Sequence, residues 1–244
     1  MNIKNFTIKL VELLSNPFSI YVRMKGGISD FYLKYDKKWV HDLKIDTVLD
    51  IGGNIGQFSK TMRMLLPNAQ IYAFEPLPEC YDKMVNLMQG DSNFMAFNVG
   101  LGDSNSTLTM KKSSYLPSSS FLNMSEKHKE AFPQTAGSEQ VNVQVKRLDD
   151  ICSELNLGKN ILIKVDVQGY EAIVLKGGLK VFSKAKLLIM ELSYQELYDN
   201  QPLFNDIYEE LTKIGFKFMG TTTQMCDPKD GQFMDADCIF IKND

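Results

Sequence analysis

Residues 47–59, TVLDIGGNIGQFS, constrain this chain more than any other stretch. A strand-length apolar run, Val48-Leu49-Asp50-Ile51, passes into a glycine turn, Gly52-Gly53-Asn54-Ile55-Gly56, and a helical pattern begins at Gln57-Phe58-Ser59. Strand, glycine turn and helix in that order make the ligand-binding corner of a doubly wound α/β sheet. Glycine lets the backbone take φ > 0 and lets a ligand approach where a Cβ would collide. The helix start offers unpaired N–H groups and partial positive charge to an anionic group.

The rest of the chain extends that corner. Short apolar runs at Ile71–Phe74, Phe94–Leu101, Ile161–Val165, Leu187–Met190, Phe216–Phe218 and Cys238–Ile241 alternate with helical patterns. With Val48–Ile51 they predict a mostly parallel, seven-stranded, doubly wound α/β sheet, closed by a terminal hairpin. Residues 104–146 change character: Leu108 and Met110, then Val141, Val143 and Val145, alternate with polar residues around a Ser/Lys-rich loop. They read as antiparallel strands inserted beside the pocket. Residues 1–46 read as a helical and aromatic extension. There Phe6, Leu10, Leu13 and Leu14 form one apolar stripe, suited to the domain or to a partner subunit in a homodimer. Residues 47–244 form the main domain.

Composition narrows the function. The 244 residues are 44% hydrophobic and 23% charged, enough to bury a sizeable core. A net charge of −3 without a basic run gives nucleic-acid binding no electrostatic support. Apolar stretches are too short to span a bilayer, and the N-terminus lacks a signal-peptide pattern, so a cytoplasmic location is expected. Four scattered cysteines without C-x-x-C argue against zinc and against a disulfide framework. Two histidines exclude a multi-histidine metal site.

Ligands of such sheets sit beyond the carboxyl ends of the strands. Asp50, Glu75, Asp166 and Glu191 all fall at predicted strand ends. Glu75 lies about 20 residues past the glycine turn, where an acid meets ribose hydroxyls. The dinucleotide pattern G-x-G-x-x-G fails: counted from Gly52, its later positions are Asn54 and Gln57. That weakens a NAD(P)-dependent oxidoreductase and favours a ligand without a pyrophosphate. S-adenosylmethionine, with its amine, sulfonium, ribose diol and single carboxylate, fits the acidic ends and the helix start. Candidate cofactor contacts are Asp50, Gly52, Gly53, Asn54, Gly56, Gln57, Phe58, Glu75, Pro76, Gly100, Leu101, Asp166 and Val167. Candidate catalytic groups are Asp166, Glu171 and Glu191, as base or positioning carboxylates. These three acids could also hold Mg²⁺, although clustered strand-end acids are expected without a metal. Trp39, Tyr115, Ser118, Ser119, Ser120, His128 and Gln168 are candidates for contact with a small-molecule acceptor. A noncatalytic binding protein on the same corner is a further alternative.

At these residues the chain resembles the FkbM-type methyltransferases, a branch of the class I S-adenosylmethionine-dependent enzymes. DIGGNIGQFS is similar to the family's first motif and FEPLPECYDKM to its second. VGLGDSNSTLTM, SSSFL, KRLDDI, IKVDVQGYEAIVLKGG and LLIMELS follow in the family's order, over about residues 45–220. The resemblance implies a Rossmann-like fold and S-adenosylmethionine binding by Asp50, Gly52, Asn54, Gly56, Gln57 and Glu75. It also implies a pocket at Gly100, Leu101 and Asp166, and O-methylation of a hydroxyl on a sugar or secondary metabolite. One departure is Gln168, where many members carry Glu; a neutral amide cannot serve as a base.

Overall fold

A computed structural model describes residues 17–135 and 137–242. The apolar stripe of residues 6–14 lies outside the described residues.

Seven strands form the central sheet: β1 (Thr47–Ile51), β2 (Gln70–Phe74), β3 (Phe94–Phe97), then β7 (Ile161–Val165), β8 (Ala185–Ser193), β9 (Lys217–Cys226) and β10 (Phe233–Ile241). Their spatial order is β3-β2-β1-β7-β8-β10-β9. The strands from β3 to β8 are parallel, and β10 runs antiparallel to both β8 and β9. Successive crossovers leave β1 in opposite directions, toward β2 on one side and β7 on the other. The crevice at their carboxyl ends is therefore the switch point where such sheets bind ligands.

Both faces of the sheet are apolar because parallel strands are covered on both sides. Leu49, Ile51, Ile163, Val165, Leu188 and Met190 pack one core, with helices 171–177 and 204–213. Val48, Leu162, Leu187 and Ile189 pack the other, against Phe58 and Met62 of helix Gln57–Leu65 and Phe31, Tyr32 and Tyr35 of helix Ser29–Tyr35. The aromatic part of the N-terminal extension is thus core packing. Trp39 sits on the short helix Lys38–Asp42, half-exposed, and that helix leads into the amino end of β1, opposite the crevice.

Two expectations need correction. The predicted third strand, Phe94–Leu101, is broken. Phe94–Phe97 pairs with β2, whereas β4 (Gly100–Leu101) pairs in parallel with β6 (Ser138–Lys146) in a second, three-stranded sheet. Asn98 stands at the break, and its amide donates to the carbonyls of Glu75 (2.9 Å) and Pro76 (3.1 Å), turning the chain across the end of β2. The final strands are also longer than the apolar runs suggest, because polar residues of β9 and β10 continue the antiparallel ladder. The insertion matches its pattern: β5 (Ser106–Ser113) and β6 pair antiparallel, and β6 lies between β5 and β4.

Candidate active site

The switch-point crevice is a cleft whose floor is the glycine turn. Gly52 adopts φ +80°, and its N–H and that of Gly53 both donate to the carbonyl of Phe74 at 3.0 Å. A Cβ on Gly52 would lie 1.9 Å from the carbonyl oxygen of Asp166. Only glycine lets the end of β1 and the loop after β7 meet this closely. Gly52→Ala is therefore expected to destabilise the fold by about 3 kcal/mol through clash and left-handed strain. Gly90→Ala, with φ +83° and nothing within 4 Å, carries the strain alone and should cost about 1 kcal/mol. Urea denaturation of both variants checks the difference.

Glu75, at the end of β2, is buried at 6% exposure and lines the cleft. Its two carboxylate oxygens accept separately, one from the Asn54 N–H at 2.8 Å and the other from the Leu77 N–H at 2.9 Å. Asn54 is held at φ +47° by the turn. Burial raises the Glu75 pKa to about 7, against the two N–H groups, and the nearby Asp50 and Asp166 charges add to the rise. Asp50 itself is fully buried beneath the turn. One of its oxygens accepts from the Ser59 hydroxyl at 2.6 Å; the other, Oδ1, has no partner among the described residues.

At the ends of β7 and β8 stand Asp166 and Glu191. Asp166 accepts from the Lys164 ammonium at 2.9 Å and from the Gln168 amide at 2.9 Å. The same amide donates to Glu191 at 2.6 Å, while the Tyr198 hydroxyl donates to the Gln168 side-chain carbonyl at 2.9 Å. Desolvation works against the Asp166 charge, but Lys164, then Gln168 and Glu191, hold its carboxyl below the usual range. Burial, followed by the charges of Asp166, Asp235 and Asp237, pushes Glu191 well above its usual value. The pair is thus split into one ionised carboxylate and one that keeps a proton more readily.

Of the candidates, Gly52, Asn54, Glu75, Pro76, Gly100, Leu101, Ser119, Asp166, Val167, Gln168 and Glu191 line this cleft. Gly53, Gly56, Gln57 and Phe58 do not; Gly53 and Gly56 shape the turn, and Phe58 packs edge-on against Phe31. Glu171 is not part of the lining: one of its carboxylate oxygens accepts from the N–H groups of Val167 (3.1 Å) and Gly169 (3.2 Å) and ties down the loop after β7. Trp39, Tyr115, Ser118, Ser120 and His128 lie outside the lining. His128 is buried against Phe132 and Tyr198. Among the described residues no group of three or more His, Cys, Asp and Glu side chains has a metal-holding arrangement.

Several lining residues escaped the sequence reading. Phe74, Leu77, Val99, Met110, Leu116 and Phe121 supply apolar walls. Lys164, outside the lining but bonded to Asp166, was signalled only by being the one charge inside the apolar run Ile161–Val165. A buried acceptor at Glu75, carboxylates at Asp166 and Glu191 and these walls suit a ligand with a diol, a positive centre and a flat ring.

Sheet order, switch-point cleft and a carboxylate at the end of β2 define a Rossmann-like α/β domain of the class I methyltransferase kind. A solved methyltransferase FkbM from Methylobacillus flagellatus KT has this fold, with a TM-score of 0.51 at 14% identity over 81% of this chain and 43% of that one. The model of the methyltransferase FkbM domain matches residues 50–218, and the chain belongs to that family. It is similar to the 2-O-methyltransferase NoeI of Sinorhizobium fredii, 31% identical over 63% of this chain and 66% of that protein. It is also similar to methyltransferase sdnD of Sordaria araneosa, 37% identical over 53% of this chain and 59% of that one. A hexuronic acid methyltransferase, AglP of Haloferax volcanii, is 26% identical over 60% of this chain and 56% of that one. The chain thus spans less than two thirds of the length of these relatives. No helix among the described residues is long and apolar enough to cross a membrane.

Proposed function

We propose that this chain transfers a methyl group from S-adenosylmethionine to a hydroxyl of a small molecule, a sugar or a secondary metabolite. The observation that carries the reading is Glu75, fixed by two backbone N–H groups at the end of β2 and facing the same cleft as Asp166. The relatives' names, one a 2-O-methyltransferase, support oxygen as the acceptor atom.

Glu75, Gly52, Asn54 and Pro76 would hold the cofactor's nucleoside side, with Gly100, Leu101 and Val167 as walls. When bound, S-adenosylmethionine supplies a methyl group already activated by its sulfonium. The chain's own work is alignment, which in such transfers accounts for much of the rate. Leu116, Pro117 and Phe121 give the cleft an apolar wall. Asp166, ionised, accepts a hydrogen bond from the acceptor hydroxyl and orients it. Asp166 is also the base that takes the hydroxyl proton, because Glu191 already keeps one, and Gln168 holds both carboxylates in place. Glu171 positions the loop that carries Asp166 and Gln168.

Calorimetric titration with S-adenosylmethionine, followed by transfer of labelled methyl to sugar and metabolite extracts, tests the proposal. Binding with transfer supports it. Binding without transfer would leave a noncatalytic binding protein. Response to NAD(H) but not to S-adenosylmethionine would contradict it.

A further inference from the structure

Behind the cleft lies a second cavity, of about 310 Å³, that the methyl-transfer reading does not use. The two share one wall, residues 116–122, whose side chains are divided between them. Leu116, Pro117, Ser119 and Phe121 face the cleft, whereas Ser118, Ser120 and Leu122 face the second cavity. Leu116–Ser118 form a single 3-10 turn, and from Ser119 the chain is extended, with Ser120 paired to Lys111 of β5 in an isolated antiparallel bridge, so successive side chains there point to opposite sides.

The lining of the second cavity is polar. Lys111, Ser118, Asn123 and Gln140 bring side chains for which no partner is present among the described residues. Lys129, also in the lining, is paired with Glu126 at 2.6 Å, so Lys111 supplies the spare positive charge. Hydroxyls and amides hydrogen-bond a polyhydroxylated molecule, and one uncompensated ammonium favours one that is anionic.

The cavity is wired to the acid pair. The Ser120 hydroxyl donates to the Gln168 carbonyl at 2.6 Å, and the Tyr198 hydroxyl that donates to the Gln168 side chain at 2.9 Å lies 3.3 Å from the Ser118 carbonyl. Gln168 in turn holds Asp166 and Glu191. It adopts φ +57° to do so.

We infer that the second cavity is an anchoring subsite for the acceptor and takes a polyhydroxylated, singly anionic group such as a sugar acid. The inference rests on the reading of the cleft as a methyl-transfer site. Because the wall stands between this cavity and the acid pair, an acceptor held there by its anionic group reaches the cleft with another part of the molecule, and its charge is read by Lys111.

The test is a titration of the isotopically labelled full chain, with and without S-adenosylhomocysteine, using D-glucuronate, D-glucose and acetate as probes. Glucuronate is expected to shift the amide resonances of Lys111, Ser118 and Ser120 saturably. Glucose and acetate should each bind about tenfold or more weakly, and Lys111→Met should weaken glucuronate about tenfold without changing the affinity for S-adenosylhomocysteine. No shift with glucuronate while S-adenosylhomocysteine binds would overturn the subsite and leave the methyl-transfer reading intact. Equal response to acetate would reduce it to an adventitious anion site. Unchanged glucuronate binding in Lys111→Met would remove the assigned charge reader. Glucuronate binding without any binding of S-adenosylhomocysteine would overturn the acceptor role, because the neighbouring cleft would then not be a methyl-transfer site.

Discussion

Lys164→Met is expected to lower the unfolding free energy by about 3–5 kcal/mol at pH 8, the usual cost of leaving buried carboxylates without their cation. Lys164 is buried at 6% exposure in the centre of the sheet. It sits in register beside Asp50 on β1, 2.9 Å from an Asp166 oxygen and over the ring of Phe58. Burial alone would lower its pKa. The charges of Asp166, Asp50 and Asp237 more than reverse that and keep it protonated. Methionine keeps most of the volume and removes only the charge.

The loss should depend on pH in a definite direction. With Lys164 present, Asp166 titrates below its unfolded value, so its contribution is present above that value and lost in acid. Without the ammonium, desolvation dominates and the buried carboxylates take up protons on folding. The variant then loses stability as pH rises through the carboxylate range, and the gap to the parent protein widens from pH 5 to pH 8. Urea denaturation at the two pH values reads this. A pH-independent gap, or one below about 1 kcal/mol, which is the scale of an exposed pair, would show that Lys164 does not neutralise the cluster.

The second large effect concerns the cofactor. Glu75→Ala should weaken S-adenosylmethionine binding by about a hundredfold or more. Two charge-assisted hydrogen bonds to a diol contribute together at least about 3 kcal/mol, and each 1.4 kcal/mol is tenfold. Because the Glu75 pKa is raised to about 7, the free protein holds a proton there in mild acid. A carboxyl must be ionised to accept from both hydroxyls, so affinity should rise with pH through about 7 and level off above it. In Glu75→Ala that rise disappears. A parent protein with flat affinity from pH 6 to pH 8.5, or an alanine variant of unchanged affinity, would show that this carboxylate does not meet the ligand. Thermal unfolding of the variant without ligand separates lost contact from a loosened turn, since Glu75 also tethers Asn54 and Leu77.

The sheet was legible because its parallel strands are apolar on both faces and their acids stand at carboxyl ends. Spacing alone placed Glu75, and its position lining the cleft follows from the same βαβ geometry. What was illegible depends on contacts distant in sequence. Asn98 breaks the expected third strand because its amide finds the carbonyls of Glu75 and Pro76. Glu171 reads as a loop acid available for chemistry, yet two backbone N–H groups of its own loop claim it. Asp235 and Asp237 come from the far end of the chain. Antiparallel pairing of β10 with β8 sets Asp237 opposite Glu191, and no local pattern announces that. The extended part of the wall between the two cavities, Ser119 to Leu122, alternates with period two, but four residues in a Ser-rich stretch are too few for the alternation to carry a signal.

The most direct measurement is a crystal structure of the chain grown with S-adenosylhomocysteine. The expected result is the ribose diol hydrogen-bonded to Glu75, with the ligand's far end reaching the Asp166 side of the cleft. Ligand density elsewhere, with Glu75 still satisfied only by the N–H groups of Asn54 and Leu77, would contradict it.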